Sequence, residues 1–362
     1  MGSAVAAVVI IAGACSKSSD LEKSSSLFGS YDQTTMLNNI GSNVLLAGIN
    51  NLSTSAAAAL TAINTFTASP TDANLTLAQA AWITLAQSWA TAAPFNFGPM
   101  TNNLTSANID TWPANPAKIE AAITAQSNAS AIGADAKGLK GLEYLLYDAS
   151  GNTAVLAKYT AAGATTRSAY LNSVATDLAT QVTTFQKAWT GGYLSSFESA
   201  KGNDVSSSAS QLVNGISLYL DEVKNMKIGN PIGMGVKVND NLPHPADIEY
   251  TLAEESLPVM KANVTAMKAA FDGGSGQGLD DLLNYVKATK NSQNLSTVVD
   301  AQFDDVITKM NLIQPPYAGS LTTQKQQIQD VFSSLKILIA YFKVDVANDL
   351  GVTITFTDTD GD

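Results

Sequence analysis

The sequence predicts an all-α protein of two four-helix bundles, and three observations carry that expectation. From Thr34 onward, apolar residues recur at helical spacing in stripes several turns long. Glycine and proline gather between those stripes rather than within them. The composition, 45% hydrophobic and 14% charged, suits packed helices whose outer faces carry Ser, Thr, Asn and Gln instead of charge. At 362 residues the chain exceeds one ordinary core, which implies two domains.

The chain opens with a short apolar run, Ala4 to Ala12, followed by Gly13, Ala14 and Cys15. Such a run is too short to cross a hydrocarbon core, which takes about twenty residues. It has the form of a signal-peptide core with small residues at the cleavage point. The run Ala12-Gly13-Ala14-Cys15 resembles a bacterial lipobox, with Ala12 where Leu is more usual. Residues 1–15 are therefore expected to be a lipoprotein signal segment, with Cys15 as the lipid attachment point and the membrane as a partner. No basic residues precede the run, so an upstream start is expected. Residues 16–33 read as a polar tether. The expected location is the cell envelope, at the outer membrane, facing the periplasm or the exterior. As the sole cysteine, Cys15 leaves no intrachain disulfide and no thiolate cluster.

The first bundle is expected over 34–200. One helix follows Pro70 with Thr71 or Asp72 as N-cap, runs through Leu75, Ala78, Trp82, Leu85 and Trp89, and stops before Pro94. Asn115-Pro116 reads as an N-cap with proline at the first helical position. A third stripe runs from Tyr170 through Val174, Leu178, Val182 and Phe185 to Trp189, ending at Gly191-Gly192. The second bundle is expected over 201–362. Its stripes are Leu212 to Val223, Leu257 to Phe271, Leu279 to Val286 after the loop 273–278, and Val306 to Ile313 before Pro315-Pro316. The longest runs from Ile328 to Leu350, with Gly351 as C-cap. Only Val352 to Phe356 alternates like a strand.

Composition also excludes function classes. The net charge is -11 with no basic block, so nucleic acid is not an expected partner. A single histidine, His244, and no HExxH helix argue against a histidine-ligated zinc peptidase. His244 itself, between Pro243 and Pro245, reads as a rigid solvated loop residue. The alternating Asp358, Asp360 and Asp362 resemble the start of a calcium loop but lack its closing glutamate, so they read as a solvated acidic tail.

The stretch 138–148, GLKGLEYLLYD, places Gly138 and Gly141 three apart and Lys140 and Glu143 three apart on one helical face. Two glycines inside a helix cost about 1 kcal/mol each against alanine, which points to a packing or site requirement. On its own, the Lys140–Glu143 spacing favours a surface ion pair. In company it resembles the GxHxxE signature of the imelysin-like family. Further segments are similar to that family in the same order: Ala80-Ala81-Trp82 with Trp89, Phe97-Gly98-Pro99, Ile109-Asp110-Thr111-Trp112-Pro113, Lys227-Ile228-Gly229-Asn230-Pro231, and Leu350-Gly351-Val352. The resemblance implies two duplicated four-helix bundles with the motif near their junction. It also implies a link to iron-regulated uptake systems and to a disputed peptidase activity.

Lys140 stands where the family has histidine. A lysine ammonium has no lone pair for a metal, so Glu143 is the one motif residue left as a metal ligand. The resemblance marks Glu249 and Ser256 as further site residues; His244 is a remote substitute for the missing ligand. The expected function is non-catalytic binding, assisting capture of iron or an iron-bearing ligand, with iron or another divalent cation held weakly. The expected site is Gly138, Lys140, Glu143, Glu249 and Ser256, with iron-uptake components as partners. The alternatives are a metallopeptidase of the imelysin type and a structural envelope lipoprotein.

Overall fold

The computed structural model describes residues 27–95, 97–102 and 105–356. The expected lipid-attachment residue Cys15, most of the expected tether and the acidic tail lie outside the described residues. Eight principal helices organise the rest: α1 Gln33–Ala68, α2 Asp72–Ala92, α3 Gly138–Leu146, α4 Ala164–Ala188, α5 Ser208–Glu222, α6 Ser256–Asp272, α7 Leu295–Leu312 and α8 Lys325–Ala340. The fold is all-α, as the periodicity predicts.

The helix starts follow from side-chain capping. Thr71 accepts the amide of Asn74 at 3.2 Å and opens α2. Asn115 caps Lys118 at 3.1 Å ahead of Pro116, opening the short helix Pro116–Thr124. The α2 stripe Leu75, Ala78, Trp82, Leu85 and Trp89 is buried throughout, facing α1. Each large side chain in it contributes about 1.5–3 kcal/mol by leaving water. Outward-facing threonines replace charge: Thr61, Thr65, Thr176, Thr180 and Thr184 each donate to the carbonyl four residues earlier.

Helix α1 packs on both α2 and α4 with α3 against α2 and α4, while α7 packs on α8 and α6, and α5 on α8. Helix α6 also lies along α2, so the buried apolar residues form one continuous cluster across both sets. In the second set Phe271, Phe303 and Phe342 interlock with centroids 5.9, 5.7 and 5.8 Å apart.

Two local expectations are corrected. Residues 352–356 form no strand: burial alternates, but Thr353 O and Thr355 N bond to the side chain of Asn214 instead of a partner strand. The strands described are two-residue pieces, Thr289–Lys290 and Gln293–Asn294, too short to leave an alternating pattern. Several helices also pass through wide π turns, among them Val223–Gly229 directly after α5.

Candidate functional site

Helix α3 begins with Gly138 at φ +65, where an added Cβ would lie 2.5 Å from the carbonyl oxygen of Ile109. Glycine alone takes this conformation with backbone so near. The first motif glycine therefore docks α3 onto the turn that carries Asp110. From there Lys140 and Glu143 reach towards the loop 249–255, which precedes α6.

Lys140 is 2% exposed, and its Nζ lies 3.6 Å from Asp110 Oδ1 and 3.6 Å from Glu249 Oε2. It sits over the Tyr250 ring, 2.7 Å from the centroid, and makes no hydrogen bond. The expected Lys140–Glu143 pair does not form. Glu143 Oε1 instead accepts the backbone amides of Leu252 at 3.0 Å and Ala253 at 3.1 Å. Both side chains point to the same loop, but Glu143 meets its free N–H groups and Lys140 meets its charge.

Asp110 is the centre of this network. Its Oδ2 accepts the Trp89 indole N–H at 3.1 Å and the Tyr250 hydroxyl at 2.6 Å. Glu249 Oε2 accepts from Lys227 at 2.8 Å. Tyr250 holds φ +52, a left-handed conformation that costs a tyrosine about 1–3 kcal/mol. Its hydroxyl bond to Asp110 and its ring against Trp82, centroids 5.7 Å apart, keep it there. Ser256 does not line the site; its hydroxyl donates to the Glu249 carbonyl and fixes the turn from behind.

Over this floor opens a cavity of about 480 Å³. One wall is Trp89, Ala93 and the segment from Ser106 to Trp112; the other is Tyr219, Glu222, Met226 and Lys227. The second wall depends on the π turn. In an α-helix of 3.6 residues per turn, positions five apart such as Glu222 and Lys227 diverge by about 140°. The wider turn at Val223–Gly229 brings both to one cavity, in keeping with the frequency of π turns at functional sites.

The family model described as Imelysin matches residues 45–337. The chain belongs to the imelysin family. Among solved structures, it is similar to an imelysin-like protein from Psychrobacter arcticum 273-4, with a TM-score of 0.71 and 18% identity over 90% of this chain and 97% of that chain. It is also similar to a "putative iron-regulated protein A precursor" from Parabacteroides distasonis ATCC 8503, with a TM-score of 0.71 and 19% identity over 88% of this chain and 95% of that one. These likenesses establish a shared fold. No curated protein matches.

The electrostatics of this imelysin-family site follow from burial set against pairing. Burial lowers the Lys140 pKa, against the opposing pull of Asp110 and Glu249. Burial would raise Glu249, but Lys140 and Lys227 together hold its carboxyl below the usual range. Lys227, hydrogen-bonded to Glu249, is driven well above its ordinary value despite its own burial. Glu143 is pushed up by burial, against the pull of Lys140 and the two amides. Glu222 retains access to solvent through the cavity, yet the surrounding walls still raise its pKa.

The structure thus brings Gly138, Lys140, Glu143 and Glu249 together and leaves Ser256 behind the turn. His244 pairs with Asp240 at 2.8 Å and takes no part in the cavity wall. Sequence reasoning missed Asp110, Tyr219, Glu222, Lys227 and Tyr250 as site residues. Asp110 and Lys227 were within reach, since both lie in segments that carry the family resemblance. Among the described residues, no group of three or more His, Cys, Asp or Glu is placed to hold a metal ion.

Proposed function

We propose that this imelysin-family chain is a non-catalytic envelope binding protein, held at a membrane through Cys15, that captures an iron-bearing ligand in the cavity between α2 and α5. The observation that supports this reading is the self-neutralised floor. Asp110 and Glu249 face the Lys140 ammonium at 3.6 Å each, so the chain's own cation occupies the point on which they converge. A bare metal ion entering there would meet a positive charge. Binding therefore falls to the cavity above, whose volume lies within the usual range for small-molecule sites. The iron part rests on the relative named for iron regulation. Delivery to iron-uptake components in the envelope would follow.

Fluorescence titration tests the reading, since Trp89 and Trp112 line the cavity. Saturable quenching by ferrioxamine B or ferric citrate, with no EDTA-sensitive cleavage of casein, is expected. EDTA-sensitive turnover would overturn the non-catalytic reading, and absence of binding by both complexes would overturn the iron reading. Cys15→Ser should release the protein from the membrane fraction; retention would overturn the anchor.

A further inference from the structure

The charges around the cavity do not balance, and the imbalance sits on one residue. Asp110 and Glu249 are matched by Lys140 and Lys227 and are further held by Trp89 and Tyr250. Glu222, on the opposite wall, has no salt bridge or hydrogen bond among the described residues and faces the open volume. A lone carboxylate supplies too few donors to hold a metal ion by itself. It can pair with one positive charge, and the surfaces around it suit an organic cation. Tyr219 and Trp112 supply aromatic faces, and Met226, Ala93 and Ala107 supply apolar area. Aromatic faces beside a carboxylate attract ammonium and guanidinium groups through both cation–π and ionic terms.

We propose that the cavity recognises a singly charged organic cation, a primary ammonium or guanidinium on a partly apolar body, with its charge seated on Glu222. This rests on the reading that the cavity is the binding site and adds the chemical handle by which a ligand is held. Lys227 attracts Glu222 through space but is hydrogen-bonded to Glu249 at 2.8 Å, so the Glu222 oxygens stay available to accept from an incoming cation.

The test compares phenethylammonium with its neutral isostere phenethyl alcohol, read by tryptophan fluorescence and calorimetry. The proteins are wild type, E222Q and A107W, each first checked for an unchanged unfolding midpoint. Glu222 faces solvent and makes no salt bridge or hydrogen bond among the described residues, so E222Q should fold normally. The inference expects phenethylammonium to bind wild type at least tenfold more tightly than the alcohol, E222Q to abolish that preference, and A107W to block both probes. Equal binding of the two probes, unaffected by E222Q but blocked by A107W, would overturn the cation inference while leaving the cavity as a binding site. Binding unaffected by A107W, or no binding of either probe, would overturn both.

Discussion

Replacing Lys140 with methionine removes the ammonium while keeping most of the aliphatic stem. At 3.6 Å, each of Asp110 and Glu249 interacts with that charge by roughly 4–5 kcal/mol at an effective dielectric near 20. Burial of the ammonium opposes this gain, as its lowered pKa records, so the two terms do not simply add. Removing one partner from a buried charge network typically costs about 3–5 kcal/mol, and a 2% exposed side chain leaves little room for solvent screening. Urea unfolding at pH 7.5 should therefore show Lys140→Met destabilised by about that amount. The sign of the pH dependence follows from Glu249. In the wild type its carboxyl is held low, so its contribution is present above the ordinary glutamate range and is lost as pH falls through the folded-state value. Without Lys140 the folded-state value rises, protonation then favours the folded state, and the deficit should narrow between pH 7.5 and pH 5. A loss below about 1 kcal/mol, or one that does not change with pH, would refute the view that the ammonium stabilises these carboxylates.

Two further outcomes follow from the same geometry. Lys140→His should create measurable zinc or ferrous affinity by calorimetry, abolished by Asp110→Asn or Glu249→Gln but not by Glu143→Gln, because Glu143 faces backbone amides rather than position 140. Gly138→Ala should lower stability by about 2 kcal/mol or more in thermal unfolding, combining left-handed strain with a clash against the Ile109 carbonyl.

The helices were legible because their signals are local. Thr71 and Asn115 announce their caps, and the stripe from Leu75 to Trp89 declares which face is buried. Residues 352–356 misled because their alternation is real, but the partner is one asparagine side chain rather than a strand. The site was half legible for a related reason. The motif named Lys140 and Glu143, whereas their partners depend on folding: Asp110 lies 30 positions away and Glu249 more than a hundred. Spacing within one helix suggested a Lys140–Glu143 pair, and tertiary packing offered both residues better partners. Nothing in the sequence marked Glu222, because its significance depends on a widened turn that follows it.

That widened turn means that the second wall of the cavity is fixed by a residue count as well as by residue identities. The turn absorbs one residue more than regular winding would, so pulling Val223–Gly229 into an α-helix of unchanged length would carry Lys227 about 140° round from Glu222. Lys227 would then turn away from Glu249, although every charged side chain remained in the chain. A change of winding alone would silence this site while preserving its chemistry on paper. An insertion of one residue could assemble such a site in a related bundle from residues already present.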